Sequence, residues 1–148
     1  MATPIKEIFD IFLKLIDDDI IAIMIQNNKD VLEDLLLTYL EGATCNFDKC
    51  KKDLTIIKPS IENNMTGEFK SDLDLDEKFI LVDEMILYWL KPKILREDNL
   101  KVMLTDHDYN QKSPANMLDK LLKLQENTEK RLKKKKIKYT YKDFKGFN

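Results

Sequence analysis

The chain contains very few residues that interrupt helices, with only three glycines and four prolines among its 148 residues. Because glycine and proline are the residues least compatible with a helix interior, long helices can form along most of the chain. Hydrophobic residues make up 43% of the sequence and charged residues 35%. This balance provides one buried core and is typical of amphipathic helices with solvated outer faces. We therefore predict one all-α domain built as a helical bundle.

Two pairs of a hydroxyl residue and a proline predict where the first and last helices begin. At Thr3-Pro4 and Ser113-Pro114 the hydroxyl can cap a helix, and the proline suits its first position. Apolar residues then recur at helical spacing before the acidic run at 17–19, at Ile5, Ile8, Phe9, Phe12, Leu13 and Ile16. Residues 20–25 are apolar on all sides, so periodicity leaves both a helical turn and a strand open for them.

A capping box and a glycine predict the limits of the next helix. Asp30 with Glu33 has the spacing of a capping box, and Gly42 is a natural C-terminal stop. The apolar residues between them form a broad face, which predicts packing on two sides.

A second capping box opens the most apolar helix, which we expect at the centre of the core. Asp74 with Glu77 predicts its start, and Pro92 ends or kinks it near Lys91. A further short helix is predicted over about 97–104. We expect Trp89 to be buried in the core, since large aromatic residues at helical spacing usually are.

Residues 43–74 differ from the helical segments and predict a long loop or β-hairpin insertion. We expect a strand near 54–58, a turn-rich tip at 62–67 and a return strand at 68–70. Its apolar residues include Ile56, Ile57, Ile61 and Phe69. A loop of this length is either functional or a disordered insertion, and the sequence leaves both open.

The last helix and the tail differ in pattern. The apolar stripe thins after Leu124, which predicts that the last three turns project from the body. Residues 137–142 then alternate apolar and polar residues, which is the period of a strand. We predict that residues 137–148 form an extended C-terminal arm beyond a domain of residues 1–136. The arm either docks on another protein by adding a strand or packs on the hairpin of its own chain. Its candidate docking residues are Ile137, Tyr139, Tyr141, Phe144 and Phe147.

Charge is distributed unequally along the chain. Residues 119–148 carry eleven basic and four acidic side chains, whereas residues 1–118 carry fourteen basic and twenty-three acidic ones. Such a dipolar subunit suits head-to-tail contacts between copies or a polyanion near its basic end, although lysines at the end of a helix also simply favour the helix dipole. The candidate DNA-proximal residues are Lys133, Lys134, Lys135 and Lys136.

The sequence lacks the residue groupings that catalysis or metal binding would need. His107 lies between two aspartates, but no motif places a nucleophile beside it, and a polar turn explains the segment. Cys45 and Cys50 with one histidine are too few ligands for structural zinc, and free thiols in a reducing cytosol are expected. We therefore predict no enzymatic activity, no cofactor, no metal and no membrane span.

Several segments together resemble the small neck, or head–tail connector, proteins of tailed bacteriophages of Gram-positive hosts. They are residues 69–73 (FKSDL), the apolar helix from Met85 that ends in Trp-Leu-Lys-Pro, Asp108-Tyr109, residues 113–116 (SPAN) and the closing Tyr-Thr-Tyr. The resemblance covers about half of the chain and contains no catalytic signature.

The resemblance implies a helical adaptor in the virion neck, made in the host cytoplasm and assembled as a homo-oligomeric ring of about twelve subunits. It implies docking of residues 137–148 on the portal protein, contact with the next neck or tail-completion protein, and passing contact with DNA. It also implies that residues 54–70 form an inter-subunit or lumen loop, with Ile56, Ile57, Ile61 and Phe69. An alternative from the residues themselves is a small phage-encoded regulatory or DNA-associated protein that binds through Lys133–Lys136.

Overall fold

The computed structural model describes residues 2–16, 18–58, 67–103 and 114–142. Its helices are α1 (Ile5–Leu15), α2 (Asp19–Asn27), α3 (Lys29–Asn46), α4 (Leu75–Met103) and α5 (Pro114–Tyr141). Its strands are β1 (Thr3–Pro4), β2 (Ile56–Ile57) and β3 (Glu68–Phe69). The predicted helical architecture is confirmed, with a small sheet added to it. None of the helices, as far as their residues are described, is long and apolar enough to cross a membrane.

Helix α4 forms the centre of the fold and packs against α1, α3 and α5. Its inner positions are almost completely buried, at Ile80, Leu81, Val82, Met85 and Leu90. Of the two predicted effects of Pro92, a kink or an end near Lys91, the end is wrong, because Pro92 lies inside a continuous helix. Proline removes one backbone hydrogen bond and crowds the preceding turn. Burial of Trp89 and Leu90, just before the proline, offsets this loss of free energy. That burial depends on contacts distant in sequence, so the residues next to Pro92 do not predict it.

The capping box at the start of α4 is confirmed. The Asp74 backbone N–H donates to Glu77 Oε1 at 2.8 Å, and the Glu77 N–H donates to Asp74 Oδ1 at 2.9 Å. Two amides at the helix terminus are thereby satisfied by side chains.

The predicted limits of α3 are both wrong. The helix begins at Lys29, before Asp30, and its cap residue Asn28 makes no side-chain cap hydrogen bond. Gly42 is not a stop, since α3 continues to Asn46. An added Cβ at Gly42 would lie 2.5 Å from Cζ of Tyr88 on α4. A larger residue here would therefore displace the Tyr88 ring, so glycine permits the close approach of α3 to α4.

The N-terminus also differs from the prediction, because Thr3 does not cap α1. Thr3 and Pro4 form β1, and Pro4 precedes the helix without a side-chain cap. The Thr3 hydroxyl instead accepts from the Leu73 N–H at 2.8 Å and donates to the Ser71 carbonyl at 3.1 Å. The open question over residues 20–25 resolves as helix, in α2.

The three strands form an antiparallel sheet in the order β1–β3–β2. Ile56 pairs with Phe69 and Ile57 with Glu68, within the segments predicted as strand and return strand. Phe69 is completely buried, so it anchors the sheet to the core. Residues 43–46, predicted as part of the insertion, belong to α3. The tip at 62–66 lies outside the described residues.

The C-terminal half of α5 contradicts two predictions. Its last turns do not project from the body, since Thr128, Leu132 and Tyr139 are buried. Residues 137–141 are helical, not extended, because α5 continues to Tyr141. Apolar periodicity missed this face because threonine, tyrosine and ion-paired lysines occupy it. Residues 104–113, with His107 and Ser113, and residues 143–148 lie outside the described part of the chain.

Candidate interaction surfaces

A buried polar cluster joins the end of α5 to the start of α4. Tyr139 donates its hydroxyl proton to Glu77 Oε2 at 2.7 Å, and the same hydroxyl accepts from the Lys51 N–H at 2.9 Å. The Cys50 thiol donates to Glu77 Oε2 at 3.4 Å, and Lys52 Nζ lies 2.8 Å from Oε1. The Tyr139 ring packs edge-on against Phe47, with ring centroids 5.2 Å apart.

The electrostatics of this cluster hold each proton in place. Burial and the adjacent Glu77 carboxylate raise the pKa of Tyr139, so its hydroxyl stays a donor. Burial pushes the pKa of Glu77 upward, but the hydrogen bonds from Lys52, the Asp74 amide, Tyr139 and Cys50 outweigh it and leave that pKa lowered. Burial raises the pKa of the Cys50 thiol, which keeps it protonated. These groups are suited to fixing the helix end in position.

A second polar cluster joins the middle of the same two helices. Asp83 on α4 is buried and accepts from Arg131 at 3.0 Å and from Lys135 at 2.8 Å. The neighbouring Glu84 is also buried and pairs with Lys136, which reaches the Asn46 carbonyl at 3.1 Å. Because these charges are paired across the interface, they set the register of α5 on α4.

An amphipathic cleft of about 540 Å³ lies between α1, α4 and α5. Its walls are mainly apolar, with Asp83, Thr128, Arg131 and Lys135 on one side. The apolar lining comes from Leu15, Ile16, Phe79, Ile86, Trp89 and Leu124. Trp89 is buried, as predicted, and its indole N–H donates to Asp18 at 2.8 Å.

The candidate docking residues divide between the core and the surface. Tyr139 is buried in its own domain, so it is unavailable to a partner unless α5 detaches. Ile137 is 50% exposed and Tyr141 61% exposed. Phe144 and Phe147 lie outside the described residues.

The candidate loop residues divide in the same way. Phe69 is buried in the core, so it presents no contact surface, and Ile56 is half-buried. Ile57 is exposed, and Ile61 lies outside the described residues.

The four candidate DNA-proximal lysines also separate into two pairs. Lys135 and Lys136 are half-buried and form the ion pairs to Asp83 and Glu84. Lys133 and Lys134 are exposed on the outer side of α5. The structure therefore does not present the run as one basic patch.

Sequence reasoning overlooked Asp83 and Glu84. An acidic pair inside the otherwise apolar run at 79–90 was the available signal, because a buried carboxylate requires a charged or hydrogen-bonding partner. The complementary signal is the series of basic residues along α5. Considering the two patterns together predicts an ion-paired helix hairpin.

Cys45 is exposed and Cys50 half-buried, and both are free thiols. In the ranges that the structure describes, no cluster of three or more histidine, cysteine, aspartate or glutamate side chains could hold a metal ion. Comparisons of the chain with protein-family models, with curated proteins and with solved structures found no match.

Proposed function

We propose that the protein is a non-catalytic structural subunit, a head–tail connector in the neck of a tailed bacteriophage. Its working form is a homo-oligomeric ring between the portal and the next neck or tail protein, through which DNA passes. The resemblance of residues 69–73, 85–92 and 113–116 to such connectors supports this proposal, and so does the helical architecture.

The observation that carries the proposal is the anchoring of Tyr139 to Glu77 and Phe47. This contact holds the end of α5 against the start of α4, three residues before position 142. The segment that follows Lys142, which contains Phe144 and Phe147, therefore begins at a fixed point on the folded domain. Fixing one end of a short docking segment reduces the entropy that it loses on binding.

The proposed docking segment excludes Tyr139. Tyr139 belongs to the anchor, which leaves Ile137 and Tyr141 on the surface as the first contacts and Phe144 and Phe147 beyond them. Large aromatic side chains commonly dominate the energy of such contacts.

The test is complex formation with the portal protein encoded in the same genome, followed by sedimentation. Full-length protein, a chain ending at Lys142 and a Phe144→Ala/Phe147→Ala variant are compared. We expect a large ring complex only with the full-length chain, while all three keep the same helical content. Equal binding by the chain ending at Lys142 would remove the tail from the proposal, and no complex with any of them would contradict the connector function.

A second candidate function, a DNA-associated binding protein, is favoured by the exposure of Lys133 and Lys134. Its signature is a DNA affinity that falls steeply with salt, since bound lysines release counterions from phosphates. A titration with duplex DNA at two salt concentrations separates it from the connector, which we expect to bind DNA only weakly.

A further inference from the structure

Two exposed helix faces carry opposite charge. The outer side of α3, here called the acidic face, presents the exposed Asp30, Glu33 and Asp34 and the half-buried Glu41, which pairs with Lys58 at 3.2 Å. The outer side of α5, here called the basic face, presents Lys120, Lys123, Lys130, Lys133, Lys134 and Lys138, which outnumber the exposed Asp119 and Glu126 on the same side.

Helical periodicity turns both faces away from the core. In α3 the buried positions are Leu32, Leu36, Leu40 and Ala43, and Asp34 and Glu41 fall on the opposite side. In α5 the buried positions are Leu118, Thr128, Leu132 and Tyr139, and Lys123, Lys130 and Lys134 fall opposite them. Successive residues turn by about 100° around a helix, which gives this separation.

The two faces point in different directions around the central helix. Tyr88 of α4 meets Gly42 of α3, whereas Asp83 of α4 meets Arg131 of α5. Tyr88 lies five positions after Asp83, which places them about 140° apart around the α4 axis. The two helices approach each other where Lys136 meets the Asn46 carbonyl, but among the described residues no salt bridge joins the acidic face to the basic face of the same chain.

Most lysines of the basic face form no salt bridge with the described residues of their own subunit. Within the described ranges Lys130 pairs with Glu126, while the salt bridges recorded there involve none of Lys123, Lys133, Lys134 or Lys138. Each face also exposes an apolar side chain, since Val31 is 58% exposed beside the acids and Ile137 is exposed among the lysines. Apolar area beside complementary charge is the composition of a contact surface.

We infer that the acidic face on α3 of one copy docks on the basic face on α5 of the next copy. The inference rests on the proposed homo-oligomeric function and names the two surfaces that join its subunits. Because the two surfaces differ, the contact is heterologous and repeats head to tail, closing a ring when the rotation between copies permits.

Overall charge favours a second copy as the occupant. The formal net charge of the whole chain is only −2, so long-range repulsion between copies is weak. Each copy carries one face of each sign, so every contact joins unlike charges. A polyanion would instead be repelled by the excess of acidic residues in the segment 1–118.

Charge reversal on each face tests the inference by sedimentation over a concentration series at low salt. The basic-face variant is Lys123→Glu/Lys134→Glu, and the acidic-face variant is Asp34→Lys/Glu41→Lys. A matched control reverses two exposed lysines of α1, as Lys6→Glu/Lys14→Glu. Circular dichroism and thermal melting verify that each variant keeps the wild-type fold.

We expect the wild type and the control to associate equally, and more weakly as salt rises. Each face variant alone should associate at least about tenfold more weakly, because like charges then oppose each other. An equimolar mixture of the two face variants should recover association, since the unchanged acidic face of one variant can meet the unchanged basic face of the other, and the charges introduced on the two altered faces are opposite in sign.

Several outcomes would overturn the inference. Association of both variants at the wild-type level would place the interface elsewhere, and failure of the mixture to recover would exclude direct pairing of these faces. A different result would assign the basic face to a polyanion: the wild type stays monomeric and binds DNA, and the Lys123→Glu/Lys134→Glu variant no longer binds DNA. None of these results decides docking on the portal protein, which is measured separately, so the connector function can survive or fail independently.

Discussion

The hydroxyl of Tyr139, near the end of α5, donates a 2.7 Å hydrogen bond to the buried carboxylate of Glu77, in the first turn of α4. These residues are 62 positions apart in the chain. Their contact joins the end of α5 to the start of α4.

Replacing Tyr139 with phenylalanine tests this contact with little change in volume. The variant removes one donor from Glu77 and leaves the Lys51 N–H without its acceptor. We expect the free energy of unfolding to fall by about 1–3 kcal/mol, the usual cost of unsatisfied buried polar groups. Urea denaturation measures it. Tyr141→Phe is the matched control, and at an exposed position it should change stability by less than about 0.5 kcal/mol.

Truncation tests whether the end of α5 belongs to the fold or to a removable arm. A chain ending at Lys142 should melt like the full-length protein. A chain ending at Lys136 loses the buried Tyr139 ring and should be destabilised by about 3–5 kcal/mol, the range for removing a core aromatic side chain. Thermal melting followed by circular dichroism distinguishes them, and equal melting temperatures would show that residues 137–142 contribute nothing to the core.

Acid should weaken the protein through Glu77. Its pKa is lowered in the folded state from a reference value of 4.5, so the unfolded chain takes up a proton more readily. The stabilisation that ionised Glu77 contributes is therefore complete above the pKa of Glu77 in the unfolded chain. It is lost as the pH falls through the lower pKa that Glu77 has in the folded chain. Glu77→Gln should reduce stability at pH 7 and flatten the loss of stability below about pH 4.5. Unfolding free energies in urea between pH 7 and pH 3 measure both effects, and an unchanged acid slope would contradict the assignment.

Gly42→Ala should destabilise the protein although it replaces a helical glycine. Alanine would normally stabilise a helix interior by about 1 kcal/mol, but here its Cβ meets the Tyr88 ring at 2.5–2.8 Å. We expect a net loss of about 1–2 kcal/mol from overpacking. In a Tyr88→Ala background the same substitution should become stabilising, and a double-mutant cycle by urea denaturation measures this reversal of sign.

The two lysine pairs in the run at 133–136 should respond differently to neutralisation. Lys135→Gln removes the 2.8 Å charged hydrogen bond that Lys135 donates to buried Asp83, and it should lower the free energy of unfolding by about 1–2 kcal/mol. Lys134→Gln, on the exposed side of the same helix, should stay within about 0.5 kcal/mol of wild type. Equal effects of the two substitutions on the urea midpoint would contradict the division of the run.

Local sequence signals determined several elements correctly. The capping box of Asp74 and Glu77 predicted the start of α4, and the proline at position 114 predicted the first residue of α5. The apolar stripe of residues 5–16 predicted α1, and the strands near 56 and 68 fall within their predicted segments. These features depend on groups within a few residues of each other, so a single segment contains the information.

Other features depend on residues that only the folded chain brings together. Gly42 looked like a helix stop because its partner, Tyr88, lies on another helix. Pro92 predicted a helix end because the contacts that bury Trp89 and Leu90, just before it, come from other parts of the chain. Residues 137–141 predicted a strand because Glu77 and Phe47, which hold Tyr139 in place, are distant in sequence. The amino-acid sequence by itself determined that the chain is helical, with one buried central helix. Only the tertiary structure decided which lysines are paired inside the hairpin and which are exposed, because that depends on Asp83 and Glu84 facing α5 across the core.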